Sequence, residues 1–471
     1  MSPYSAIIWR VIDWLEWDAG AFARAAHERK PVLLSITAAW CLACHEMDRT
    51  TYADPRVDAL VRERFVPVRV NADRRPDINE RYNLGGWPTT AFLTPDGDLM
   101  TGGTFVSADR MPAVLEQVAA AFQHTLGTGS DMTRGTRYSS EDGLPGPDGL
   151  APDLIEASFA SFDDVFGGFG DEPKFPHTAP LHLALALFQD THDERWQAII
   201  ERTLDAMADG GLWDRDTGGF HRYATRRDWQ LPQREKLLET NAALLRVYAS
   251  AAAALGRDVD RDRSAGIARF ITTALRADKG GYHGSDADTT LFADANAVAA
   301  RALLETATLL GDSRLGQEAL DSFERTVMLC YRPGEGLAHY FDGAARVRGL
   351  LADQIEAAAA LLDAHAITDA EPYTMMAEEL GHFVVRVMWD ATEGGCFDRA
   401  TTQDDVGLLR VRRKPYVGNA EAASVFARLN AVTHEFDFAP YASGALDAAG
   451  RRVAGQGPLT AHYLLAARQV R

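Results

Sequence analysis

Residues 40–46 read Trp40-Cys41-Leu42-Ala43-Cys44-His45-Glu46, a Cys-x-x-Cys-His string with a tryptophan in front. A redox dithiol, a c-type haem attachment and part of a metal-ligand set all use that spacing, so the flanks must separate them. PVLLSITAAW, residues 31–40, is a continuous apolar run of strand length, and CHEMDRT, 44–50, turns polar with helical spacing. Cys41 is therefore expected where a buried strand ends and a helix begins, with Cys44 one turn inward. A thiol there faces unpaired backbone N–H groups and the positive end of the helix dipole, which favour its thiolate. Haem needs an axial ligand and a mostly helical surround. A metal held by Cys41, Cys44 and His45 lacks an evident fourth ligand. Neither a metal nor a cofactor is assigned.

Working outward, AGAFARAAHERK before the strand has helical spacing, and ADPRVDALVRERF after it offers Asp54 as N-cap with Pro55 at the first helical position. FVPVRVNAD reads as a second buried strand, RRPDINERYNL as a short helix, and GGWPTTAFLTPDGDLMTGG as a hairpin turning at Pro95-Asp96-Gly97. A last helix spans about Asp109 to Phe122. This order, from residue 20 to 125, resembles the thioredoxin fold. In that family a cis proline lies beside the dithiol, and the matching position is Pro88, so a cis Trp87–Pro88 bond is expected. The plainer alternative is a trans proline ending a loop.

His45 lies four residues beyond Cys41, so on a helix the two side chains share a face. Its imidazole either depresses the thiol pKa or acts as a base, or else it merely solvates the helix end. One departure from thioredoxins is visible: Ser35 stands in the strand where a buried acid is expected, leaving Glu46 or His45 as routes for proton transfer to Cys44.

The chain has 471 residues, 46% apolar and 24% charged, with a formal net charge of -19. That composition is globular, with length for two or three domains. The negative charge disfavours an electrostatic grip on nucleic acid or anionic membrane. Arg10, Asp13, Glu16 and Asp18 interrupt the apolar N-terminal stretch, which argues against a signal peptide or spanning helix. Four cysteines are too few for a secreted disulfide scaffold, so a cytoplasmic location is expected. Cys330 and Cys396 read as small buried hydrophobes.

Residues 126–150 are rich in Gly, Ser, Thr, Pro and Asp without a sustained period, and read as a linker between a domain at 1–125 and another at 151–471. Beyond it amphipathic helical patterns follow one another with almost no strand signal. Between helix pairs a Gly-aromatic loop recurs. Markers at Gly168, Gly219, Gly281, Gly336 and Gly395 are spaced 51, 62, 55 and 59 residues apart. Such a period indicates stacked helical hairpins, six of which close into an (α/α)6 toroid, with an open solenoid as the alternative. Closure gathers the loops at one end around a cavity. Their polar residues, Lys174, His177, His221, Arg222, Tyr223, Asp286 and Asp288, suit a polyhydroxyl or anionic ligand. Asp286 and Asp288 read as an acid/base pair, a ligand clamp or plain turn formers.

Several strings in order, KPVLLSI with CxxCHEM, DPRVDALVRERFVPVRVNADRRPDI, GGWPTTAFLTPDG, GGFGDEPKFPH, GGFHRY and REKLLETNAALL, make the whole chain similar to the DUF255 family of thioredoxin-domain proteins that includes spermatogenesis-associated protein 20. The resemblance implies a multidomain α/β plus all-α chain: a thioredoxin-like fold, then a six-hairpin toroid of the glycosidase and epimerase kind. It carries over Cys41, Cys44, His45 and Pro88 as the redox part, and Trp40 and Trp87 beside them are expected to bind the substrate. It carries over Lys174, His177, His221, Arg222, Tyr223, Glu235, Lys236, Asp286 and Asp288 to the toroid cavity. Two departures stand out: Gln233 replaces a histidine of the relatives, and an insertion after GSDAD is missing.

The function expected is thiol–disulfide exchange, with Cys41 as a solvent-facing attacking thiolate, Cys44 as resolving thiol and Pro88 holding the substrate sulfur. The expected partner is a protein thiol or disulfide client, or a small sugar-like ligand. Two rivals are a carbohydrate-active toroid regulated by the dithiol, and a non-catalytic redox adaptor.

Overall fold

Asp18 and Asp54 begin the first helices as their side chains suggest: Asp18 accepts from the Ala21 N–H at 2.7 Å and Asp54 from the Arg56 N–H at 2.8 Å. The computed structural model describes residues 12–128, 152–433 and 436–470. The described residues divide into two compact units, one of residues 12–128 with 401–412, the other of residues 152–400 with 413–433 and 436–470. Within the residues read as a linker, 126–128 still belong to a helix, and 129–150 lie outside the described residues.

The first unit runs α1 (Ala19–Glu28), β1 (Val32–Thr37), α2 (Leu42–Thr50), α3 (Pro55–Arg64), β2 (Val66–Asn71), α4 (Pro76–Tyr82), β3 (Thr89–Leu93), β4 (Leu99–Gly103) and α5 (Met111–Thr128). The sheet order is β2-β1-β3-β4, with β1 parallel to β2 and antiparallel to β3. Flanked on both edges, β1 is buried through Ile36, which is why its sequence is apolar without alternation. The β3–β4 turn closes where expected, Gly97 N–H donating to the Thr94 carbonyl at 2.9 Å. Met47 of α2 and Val57 and Val61 of α3 pack on one side of the sheet with Phe92, Met111 and Leu115.

Residues 401–412, expected with the helical half from their place in the chain, pack instead on the first unit. Tyr82 is the centre of that contact. Its hydroxyl donates to the Gly97 carbonyl at 2.7 Å and accepts from the Leu408 N–H at 2.8 Å. Arg81, 5% exposed, donates to the carbonyls of Leu408 and Val411 at 3.0 and 2.9 Å. Gly407, at φ +57°, lies against Gly97 so closely that neither position has room for a side chain.

The second unit holds twelve α-helices among its described residues: α6 (Pro152–Phe159), α7 (Ala179–Thr191), α8 (Glu194–Asp209), α9 (Leu238–Leu255), α10 (Asp258–Ala274), α11 (Ala293–Leu310), α12 (Ser313–Cys330), α13 (Leu351–Thr368), α14 (Glu371–Val387), α15 (Tyr416–Val432), α16 (Ala439–Gly450) and α17 (Thr460–Gln469). Helices α7, α9, α11, α13, α15 and α17 each pack on the next, and α17 returns to α7, so the ring is closed and the solenoid alternative falls. Each of α8, α10, α12, α14 and α16 packs outside the inner helix before it, and α6 covers α17. Inner helices such as α11 and α13 are alanine-rich and buried on nearly every side, as a helix flanked on both sides and covered from outside must be.

The five Gly-aromatic loops join α6, α8, α10, α12 and α14 to the inner helix that follows each. Short strands form within them, which the sequence did not announce: β5 (Tyr223–Ala224) pairs with β6 (Pro232–Gln233), and β9 (Gly336–Phe341) lies between β7 (Leu291–Phe292) and β10 (Ala345–Arg348), with β8 (Tyr331–Arg332) also on β9. An amide in the first turn of an inner helix clamps the loop ahead of it. The Asn241 carbonyl accepts from the Phe220 N–H and its NH2 donates back to the Phe220 carbonyl. Asn296 does the same to Tyr282, Gln354 to Leu337 and Asn419 to Cys396. Among the described residues no helix is long and apolar enough to cross a membrane.

Candidate functional site

Cys41 is the N-cap of α2, at the end of the segment leaving β1. Its sulfur accepts from the Cys44 N–H at 3.1 Å and is joined to Cys44 in a disulfide with Cα atoms 5.2 Å apart. The helix start therefore points a backbone N–H at the sulfur that carries negative charge when the bond opens. The expected solvent-facing position is corrected in one respect: Cys41 is only 6% exposed and Cys44 3%, while Leu42 between them is 73% exposed.

Trp87 is joined to Pro88 by a cis peptide bond, as expected. Its indole stands edge-on to Trp40, ring centroids 5.3 Å apart. The two rings tie the proline segment to the cysteine segment. Each is fixed from behind, Trp40 donating to Asp73 at 2.7 Å and Trp87 to Asn79 of α4 at 3.1 Å. His45 is exposed and its Nε2 meets the Ala39 carbonyl at 2.7 Å, so the pairing seen is with the backbone before the cysteines. In the sheet, Ser35 and Thr90 face each other across β1 and β3, both fully buried. Tyr52 is buried beside them, and burial raises its phenol pKa against the pull of those two hydroxyls. The place of a buried acid is thus filled by hydroxyls.

In the toroid the loops repeat a second device, and it removes two residues from the expected ligand set. Lys174 and Lys236 are 0% and 4% exposed. Lys174 bonds Asp163 at 2.6 Å, Lys236 bonds Asp214, and Lys414 bonds Asp390 at 2.7 Å. Each aspartate also accepts two backbone N–H groups of its own Gly-Gly turn. Burial alone would raise the Asp163 carboxyl, but hydrogen bonds from Arg227 and Lys174 outweigh it and hold it well below the usual range. These lysines lock loops. Asp288 is likewise a turn former, its Oδ1 accepting from the Thr290 N–H at 3.0 Å, whereas Asp286 is exposed.

Strand pairing gathers most of the others. Lys174 exchanges backbone bonds with Ala224, Tyr223 pairs with Gln233, and the Arg222 N–H donates to the Glu235 carbonyl. The Tyr223 ring stacks on Phe175 at 4.6 Å, and the Arg222 guanidinium lies 5.7 Å from the Tyr223 ring centre. His221 Nδ1 meets the Arg234 carbonyl at 2.9 Å, and burial lowers the pKa of both His221 and His177.

The inner helices carry an ion-pair network whose pairing no local sequence pattern announces. Arg301 of α11 bonds Glu356 and Asp363 of α13 at 3.1 and 2.8 Å, and Arg428 of α15 bonds Asp363 at 2.6 Å. Arg246 of α9 reaches Glu305 of α11 at 3.3 Å. Burial, with Glu421 nearby, pushes the Glu356 carboxyl up to about 7. Only its members are signalled: single charges inside alanine-rich helices rarely lack a partner.

Fold and site define a thioredoxin-like dithiol domain followed by an α/α toroid. Residues 2–134 match the family model Thioredox_DsbH, described as "Protein of unknown function, DUF255". The chain is 30% identical to spermatogenesis-associated protein 20 of Rattus norvegicus over 306 residues, 59% of this chain and 39% of that protein. It spans less than half the length of the curated relatives it matches first. Over 82 residues, 17% of this chain and 14% of the relative, it is 38% identical to thiol:disulfide interchange protein DsbD 1 of Pseudomonas aeruginosa. The fold resembles cellobiose 2-epimerase from Spirochaeta thermophila, with TM-score 0.56, 15% identity, and coverage of 69% of this chain and 99% of that one.

Proposed function

We propose that this chain is a cytoplasmic thiol–disulfide oxidoreductase whose toroid binds the client or substrate. The observation that carries the reading is the Cys41–Cys44 disulfide capping α2 while Trp40 packs on Trp87 of the cis-proline segment. A client thiolate attacks Cys41 Sγ in line with the S–S bond, and Cys44 leaves as a thiolate. A second client thiolate then attacks the client sulfur of that mixed disulfide and expels Cys41. The client dithiol becomes a disulfide, the Cys41–Cys44 bond becomes two thiols, and the protons of the client pass through solvent to them; the reverse sequence reduces a client. The DsbD likeness supports this reading over the dithiol domain. Alkylation of the reduced protein at graded pH tests it: Cys41 should titrate below the ~8.5 of an ordinary thiol, and a value at or above that sinks the proposal.

A second reading rests on the inner-helix network. Arg301, Arg428, Glu356 and Asp363 offer charged hydrogen-bonding groups of the kind a sugar or sugar phosphate needs, and the fold is shared with sugar epimerases. A thermal-shift panel of sugars and sugar phosphates checks it. A saturable shift that Glu356→Gln abolishes supports it, and no shift with any compound removes it.

A further inference from the structure

Three ligand-type side chains meet in the toroid that neither the dithiol nor the loop clamps use. Asp294 stands in the first turn of α11, Asp353 in the first turn of α13 and His339 on β9. One ligand atom from each lies within 4.8 Å of the others. His339 Nδ1 is 2.8 Å from Asp353 Oδ1 and 4.0 Å from Asp294 Oδ1. Ligand atoms on one first-row ion, each about 2.0–2.2 Å from it, stand at most about 4.4 Å apart, so small adjustments complete the set.

A buried orphan atom is the independent sign. The Asp353 side chain is 0% exposed, His339 occupies its Oδ1, and its Oδ2 has no hydrogen-bond partner among the described residues. A buried carboxylate oxygen in that state is costly. The loop clamp does not account for the residue either. Gln354 makes the clamp on α13, and Thr240, Ala295 and Gly418 precede the clamping amides of α9, α11 and α15. The Asp294 side chain, 30% exposed, gives the cluster access to solvent.

We propose that Asp294, His339 and Asp353 bind one divalent first-row transition ion of the Mn(II) or Zn(II) kind. Two carboxylates and one imidazole form a nitrogen–oxygen donor set suited to those ions, and the protein's negative net charge draws cations. With Asp353 ionised, the proton in its contact with His339 belongs to Nδ1. The ion replaces that proton, which leaves to solvent, and then bridges the imidazole and the carboxylates. Binding therefore tightens as pH rises.

The test uses the full chain carrying Cys41→Ser and Cys44→Ser, which removes the thiols as competing ligands. After chelation and dialysis it is titrated with MnCl2, and Zn(II) is measured by competition. One saturable equivalent is expected, with pulsed-EPR nitrogen coupling from one imidazole, a readout that needs no variant at the site. Asp294→Asn, chosen because the side chain is partly exposed, should weaken binding about tenfold or more, and His339→Gln should abolish the nitrogen coupling. Absence of saturable binding, Mn(II) bound without nitrogen coupling, or unchanged affinity in a folded Asp294→Asn variant each overturns the proposal.

Discussion

The indole of Trp87 meets the indole of Trp40 edge to face, 5.3 Å between centroids and 76° between planes, and each N–H is held from behind by an acceptor. Edge-to-face contact places the positive rim of one ring on the negative face of the other. The disulfide and the cis proline are thus positioned by a contact between side chains adjacent to each of them. A double-mutant cycle of Trp40→Ala and Trp87→Ala, followed by urea unfolding of the oxidised protein, should give a coupling of about 0.5–1.5 kcal/mol. Additive losses would show that the rings act independently.

Gly407 should tolerate no side chain. It combines a left-handed φ with a backbone contact to Gly97 beneath the Tyr82 hydroxyl. Gly407→Ala is expected to cost about 1–3 kcal/mol and to speed hydrogen exchange at the Leu408 amide, which Tyr82 now accepts. Tyr82→Phe, which deletes only the hydroxyl, should expose the same amide at a cost of about 1 kcal/mol. Exchange unchanged in both variants would mean that residues 401–412 are held by other contacts.

Glu356 makes a pH prediction whose sign follows from its shift. Its folded pKa is about 7, above the ordinary 4.5, so the folded state holds a proton that the unfolded state has released. Stability from this group is therefore full below pH 4.5 and falls as pH rises to 7. Glu356→Gln should flatten the stability profile between those limits, as followed by chemical unfolding at each pH. An equally steep profile in the variant would assign the slope to another group.

The dithiol region was legible because its signals are local. Strand, cap and helix spacing around Cys41 lie within twenty residues, and Asp54-Pro55 announces its helix by backbone chemistry alone. The hairpin period in the second half was equally visible through the glycines. Partners distant in sequence were not. Lys174 and Lys236 read as ligand groups because nothing near them says that Asp163 and Asp214 lie within bonding distance in the fold. Residues 401–412 carry no pattern that ties them to Tyr82, and His339, Asp294 and Asp353 arrive from three separate elements.

The Lys174–Asp163 pair separates a loop lock from a ligand group. Both side chains are nearly inaccessible, so removing the ammonium leaves a buried carboxylate with Arg227 as its remaining cation. Breaking a buried pair of this kind costs roughly 3–5 kcal/mol, and the surviving Arg227 bond places Lys174→Met near the lower end. The acid side gives the sign check. The Asp163 carboxyl is held below its ordinary 3.8, so its contribution is complete above that pH and is lost as the pH falls further. Thermal melts between pH 5 and pH 2 should therefore drop more steeply in the wild type than in Asp163→Asn, which starts less stable. A Lys174→Met protein as stable as wild type, yet impaired in binding a sugar or a client, would return Lys174 to the ligand set.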